Sequence, residues 1–111
     1  MRGNVLRVQY DDLKRRIDAG DIVSKSACFN HIRLTFGPVS EGYALASSAD
    51  RERILKEIRE VSRQLWGAGN RPQALALGVI MLNIESQFAP GDDAAFVKAA
   101  TDALIKEAIG R

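Results

Sequence analysis

No charge lies between Arg71 and Glu85, and that fact restricts the fold more than any other. The surrounding stretch, Arg71 to Phe88, reads RPQALALGVIMLNIESQF. Its apolar run is too short to cross a bilayer, which takes about 20 apolar residues, so a soluble helix is the simpler reading. Pro72 suits a first turn, where its missing N–H is not needed. Leu, Ala and Met favour helix, while Gly78 costs about 1 kcal/mol relative to Ala. At 100° per residue, Leu75, Val79 and Leu82 fall on one face. Leu77, Ile80, Met81, Ile84 and Phe88 fall on roughly the opposite one. Asn83 and Gln87 occupy one flank, with Ala74, Gly78 and Glu85 on the other. A surface helix carries a single apolar stripe. This one carries two and must be covered on both sides. Ala74 and Gly78, four apart, would let another helix approach that flank closely.

The flanking elements read as helices around it. A chain of 111 residues is one domain (1–111) with a modest core. Met1 to Asn4 is expected to be a loose N-terminus. Val5 to Tyr10 alternates as a strand would, yet Leu6, Tyr10, Leu13 and Ile17 follow the four-three-four spacing of a helix face, and the helix is preferred, stopping at Gly20. Asp21 or Ser24 can cap a second helix carrying Cys28, Phe29, Ile32 and Phe36, stopped by Gly37-Pro38. Residues 37–47 are expected to form an irregular connection. Its Tyr43 and Leu45 are unusual in a solvated linker and must meet the core or a partner. A third helix runs from about Ala49 to Trp66, and Gly67 to Asn70 turns it back to make a helical hairpin. Asp92 and Asp93 suit the positive end of a last helix, on which Ile105 and Ile109 fall away from the main apolar face.

No catalytic or cofactor motif emerges. Cys28 and His31 share a helix face, but a zinc site needs about four ligands and the sequence has no other Cys or His. They read as a buried thiol beside a surface imidazole. Gly67-Ala68-Gly69-Asn70-Arg71-Pro72 lacks the Lys-Ser/Thr of a P-loop and reads as a tight turn. Asp11-Asp12 and Asp92-Asp93 read as capping and solvated pairs. No metal and no cofactor is expected. The single cysteine allows no intrachain disulfide and fits a reducing compartment. No signal peptide is visible, so the expected location is the cytoplasm, with no membrane partner.

The formal net charge is only +2, but Arg2, Arg7, Lys14, Arg15, Arg16, Lys25 and Arg33 outnumber the acids of the first third. The same region carries a resemblance. A strand Val5–Tyr10, a helix Asp11–Ala19, a Gly turn and a helix from Ser24 or Ser26 resemble the ribbon-helix-helix repressors. That resemblance implies a dimer with Val5, Arg7 and Gln9 in the major groove. Lys14-Arg15-Arg16 is a short basic cluster able to touch phosphates, but its first reading is a solvated helix face. Separately, Glu52 to Pro90 is similar to one tetratricopeptide-type hairpin, with Gly69-Asn70 at the turn, Ala74 after it and Pro90 closing. It lacks the Trp, Leu-Gly and Tyr spacing of that motif's first helix.

The expected fold is all-α, a small bundle of four to five helices with a C-terminal hairpin plus final helix. Surplus apolar faces on Arg71–Phe88 and on the last helix predict a homodimer. With no chemistry in view, the expected function is that of a non-enzymatic regulatory or adaptor protein. It would bind another protein and inhibit or sequester it, as an antiactivator does to a transcription factor. Its expected binding residues are Tyr43, Leu45, Leu75, Val79 and Leu82. The alternatives are a DNA-binding repressor using Arg7, Gln9, Lys14, Arg15 and Arg16, and a toxin-neutralising immunity-type protein.

Overall fold

The computed structural model describes residues 2–110. They form five helices and no strand: α1 (Arg2–Ala19), α2 (Ile22–Leu45), α3 (Ser48–Gly67), α4 (Arg71–Phe88) and α5 (Asp92–Ile109). The bundle is all-helical, as expected. The apolar stretch is its axis, since α4 packs against each of the other four helices.

The two apolar faces of α4 go to two different clusters. Val79 and Leu82, with Leu75 at the margin, meet Leu6, Leu13 and Ile17 of α1, Cys28 and Ile32 of α2, and Val97 and Leu104 of α5. Leu77, Ile80 and Ile84 meet Tyr43 and Val39 of α2 and Ile54, Leu55, Ile58 and Leu65 of α3. Phe36 touches both clusters. Each such fully buried side chain contributes about 1.5–3 kcal/mol. Both faces are thus covered from within the chain, and neither calls for a second copy. On α5, Ile105 is buried, while Ile109 and Phe96 are left exposed.

Residues 5–10 are helical. Burial decides between the two periodicities: Leu6, Tyr10, Leu13 and Ile17 are all in the core, while Val5 and Val8 face out. The strand implied by the ribbon-helix-helix resemblance is therefore absent, and no two-stranded ribbon presents Val5, Arg7 and Gln9. Met1 lies outside the described residues, and the stretch expected to be loose already begins α1 at Arg2.

A second correction concerns residues 37–47. Helix α2 continues through Gly37-Pro38 to Leu45. Proline inside a helix removes one N–H, here the donor for the Leu34 carbonyl. Leu34, Gly37 and Pro38 are all exposed, so water can satisfy that carbonyl and the penalty is reduced. Beyond the proline, Val39 and Tyr43 are drawn onto α4, which keeps the helix in register. The true end of α2 is held by Arg51 of α3. Its guanidinium donates to the Tyr43 and Ala44 carbonyls, each across 3.1 Å.

The remaining boundaries follow local rules. Asp21 caps α2 by accepting from the Ser24 N–H at 2.6 Å, and Ser47 caps α3 by accepting from the Asp50 N–H at 3.3 Å. The α3–α4 turn is a Schellman closure. The Asn70 N–H bonds the Leu65 carbonyl (2.8 Å) and the Gly69 N–H bonds that of Trp66 (3.1 Å), with Gly69 at φ 83°.

Candidate protein-binding groove

Helices α1 and α3 both run opposite to α4. Leu13 lies on Gly78, while the Ser62 hydroxyl donates to the Ala74 carbonyl at 3.1 Å. The two flanking helices are thus parallel to each other, yet they share no extensive interface. A groove is left between them with α4 as its floor. It consists of two adjoining clefts of about 370 and 690 Å³. One ends against Trp66 and the other against Phe88 and Ala89.

The floor is a third stripe of α4. Ala74, Gly78 and Met81 line the first cleft and Glu85 and Phe88 the second. Their four-three-four-three spacing puts them on one line along the helix. From Ala74 to Phe88 the line is about 20 Å long at 1.5 Å per residue. Ala74 is buried and Leu13 already lies on Gly78, so the part of the line open to a ligand is the half-buried Met81 thioether and the exposed Phe88 ring.

The rims carry charge. Around the first cleft stand Arg16 from α1 and Arg59 and Arg63 from α3, with Asp12 as the one acid among its described lining residues. Arg16 Nε lies 3.0 Å from Asp12, Arg59 pairs with Glu85 across the groove floor, and Arg63 pairs with Glu60 at 2.5 Å. The Arg16–Asp12 and Arg63–Glu60 pairs are solvent-facing and worth at most about 1 kcal/mol, so a ligand can recruit those guanidiniums cheaply, whereas Arg59 is held by the largely buried Glu85. At the groove's end, Trp66 bridges the rims. The Arg16 guanidinium stands 4.7 Å from its ring centroid and that of Arg71 5.2 Å.

The residues expected to bind a partner separate. Val79 is fully buried and Leu82 is 3 % exposed, so both are used inside the chain. Leu75 is half-buried at the edge of the groove floor. Tyr43 is buried, with its ring 5.6 Å from Phe88 and Arg51 over both rings. Leu45 alone stands free, at 82 % exposure. The structure therefore does not bring the five together into one surface.

The basic residues of α1 are largely occupied. Arg7 stacks 3.7 Å above the Phe96 ring and lies near Asp11 and Asp93. Lys14 bonds Asp18 at 2.7 Å, and Arg15 pairs with Asp12. Gln9 lines the groove. These contacts are helix-spaced ion pairs and ring contacts, without a common phosphate-facing surface.

Cys28 is buried at 1 % exposure, and burial pushes its thiol up to about 11. Desolvation also lowers the pKa of His31. Among the described residues, no hydrogen bond joins the two, and no group of three His, Cys, Asp or Glu side chains gathers as a metal-ligand set. No described helix is long and apolar enough to cross a membrane.

Trp66, Met81, Arg59 and Arg63 are the groove residues that sequence reasoning did not single out. The Ala74–Gly78–Glu85 flank was the available signal, but Met81 and Phe88 sit at the boundary between that flank and the core face. Comparison of the chain with protein-family models, with curated proteins and with solved structures returns no match.

Proposed function

We propose that this chain is a non-enzymatic binding protein that takes an amphipathic helix of another protein into the groove between α1 and α3. The observation carrying the reading is the cleft between α1 and α3, along which α4 is only partly covered, half-buried at Met81 and open at Phe88, while its two other faces are filled. Helix-in-groove recognition uses such a strip, read by apolar anchors at i, i+3, i+4 and i+7. The Arg16, Arg59 and Arg63 rim calls for acidic residues on the flanks of the incoming helix. Holding a transcription factor inactive, or neutralising a toxin, are roles such capture would serve.

The test is site-directed photocrosslinking in host cells, with the reactive group at Met81 and, for comparison, at Ala99, exposed on α5. The expected products form from Met81, map to an acid-flanked amphipathic helix, and are lost in an Arg59→Glu, Arg63→Glu variant, whose changes lie on exposed side chains. Equal products from both positions, or products indifferent to the charge reversal, would overturn the reading. Crosslinks from Met81 into a second copy of the chain would replace the partner with self-association.

A further inference from the structure

The end of the bundle where α1 turns into α2 and α3 into α4 holds a further cleft of about 400 Å³, within the size range of small-molecule sites. Its cations are Arg16, Lys25 and Arg71, and Ile17, Leu75 and Trp66 supply its apolar wall. Among the described lining residues the one acid is Asp21. That carboxylate is already committed, since it accepts the Ser24 N–H at 2.6 Å as the cap of α2. An incoming anion would therefore be held by the side chains of the cleft.

Lys25 and Arg71 make no ion pair among the described residues, and Arg71 is held in place by Trp66. Three cations and one carboxylate line the cleft, and because Arg16 is also paired with Asp12 just outside it, Lys25 and Arg71 are its two uncommitted positive charges. We propose that this cleft binds a small phosphomonoester. Its head group carries about −1.5 to −2 charge and several acceptor oxygens at neutral pH, which suits separate donors from Lys25, Arg71 and Arg16. Its apolar remainder would lie on the half-buried Leu75 and the edge of Trp66. A monocarboxylate offers half the charge and two oxygens, and would leave a donor unused. The cleft adjoins the groove through Arg16, Trp66 and Leu75, while Lys25 and Arg71 belong to it alone, so substitutions at those two test it independently of the helix-binding reading.

Trp66 is the sole tryptophan, so its emission reports on the cleft, and calorimetry gives affinity without relying on the ring. The expected result with hexyl phosphate at fixed ionic strength is a saturable emission change with matching heats. Hexanoate should bind at least about tenfold more weakly, the size of one lost charge-assisted contact. Lys25→Gln and Arg71→Gln should each weaken hexyl phosphate by a similar factor. Hexyl phosphate that gives no saturable heat, that binds no better than hexanoate, or that keeps its affinity in the Lys25→Gln, Arg71→Gln double variant would overturn the proposal.

Discussion

Leu13 Cδ1 stands 3.1 Å from the position a Cβ would take on Gly78. Helix α1 is thus laid onto α4 where α4 has no side chain, and the same gap deepens the groove beside it. Two effects compete in Gly78→Ala. Helix propensity gains about 1 kcal/mol, while the methyl group crowds Leu13, which can yield toward the open groove. The expected urea-unfolding result is a change within about 1 kcal/mol. Gly78→Leu cannot be absorbed that way and should cost about 1–3 kcal/mol through overpacking. If both variants unfold at the same midpoint, α1 does not rest on that position.

Much of this arrangement was legible in the sequence. The absence of charge from Arg71 to Glu85 marked the axis, and two opposed faces correctly required two covering layers. Ala74 and Gly78 signalled close approach, which α1 makes. What stayed hidden depends on tertiary balance. Gly37-Pro38 reads as a stop, and only the capture of Val39 and Tyr43 by α4 carries the helix past it. Composition cannot say whether a face is covered by the same chain or by another, so Val79 and Leu82 looked available. The groove arises from what α1 and α3 fail to do, namely share an extensive interface, and no residue pattern announces a missing interface.

That misplacement is itself measurable. Leu82 is 3 % exposed and Leu45 82 %. Leu82→Ala should destabilise the fold by about 2–5 kcal/mol through lost burial and a residual cavity. Leu45→Ala should stay within about 0.5 kcal/mol. Comparable midpoints for the two variants would mean that Leu82 is not in the core.

Asn83 joins α4 to α5 without exposure to solvent. Its amide donates to Thr101 Oγ1 at 3.0 Å and Asp102 Oδ1 at 2.7 Å, and its carbonyl oxygen accepts from Gln87 at 3.1 Å. Asn83→Ala should cost about 2–4 kcal/mol, the sum of lost hydrogen bonds and an unfilled site. The bond also has a pH signature. Partial burial would raise the Asp102 pKa, but hydrogen bonds from Lys98 and Asn83 outweigh it and hold the carboxyl below its ordinary 3.8. With the folded pKa the lower one, the unfolded chain binds protons first. The contribution is then complete above the ordinary value and lost as pH falls through the folded one. Acid titration of stability should therefore fall less steeply in Asn83→Ala than in the parent. Parallel curves would detach Asp102 from Asn83.

Cys28 gives a direct test of its burial. A thiol raised to about 11 by burial is roughly one part in ten thousand thiolate at neutral pH, and the thiolate is the reactive form. Alkylation should track opening of the fold and accelerate with urea in step with unfolding. Prompt labelling of the native protein near neutral pH would mean that Cys28 is not buried.

Helix α3 should be the first element to open. It has no fully buried residue, its one extensive interface is with α4, and its core contribution is the partly buried Ile54, Leu55, Ile58 and Leu65. Local opening free energy follows such contact density. Amides in the middle of α3 should exchange well ahead of those of α4, which is enclosed on nearly every side and should set the slowest limit. Because α3 is also one wall of the groove, its outward motion is the cheapest way to admit an incoming helix. A bound helix would then bridge α1 and α3 and slow α3 exchange in proportion to occupancy. Equal protection of α3 and α4 in the free protein would mean that the groove is rigid and that any ligand must fit it as it stands.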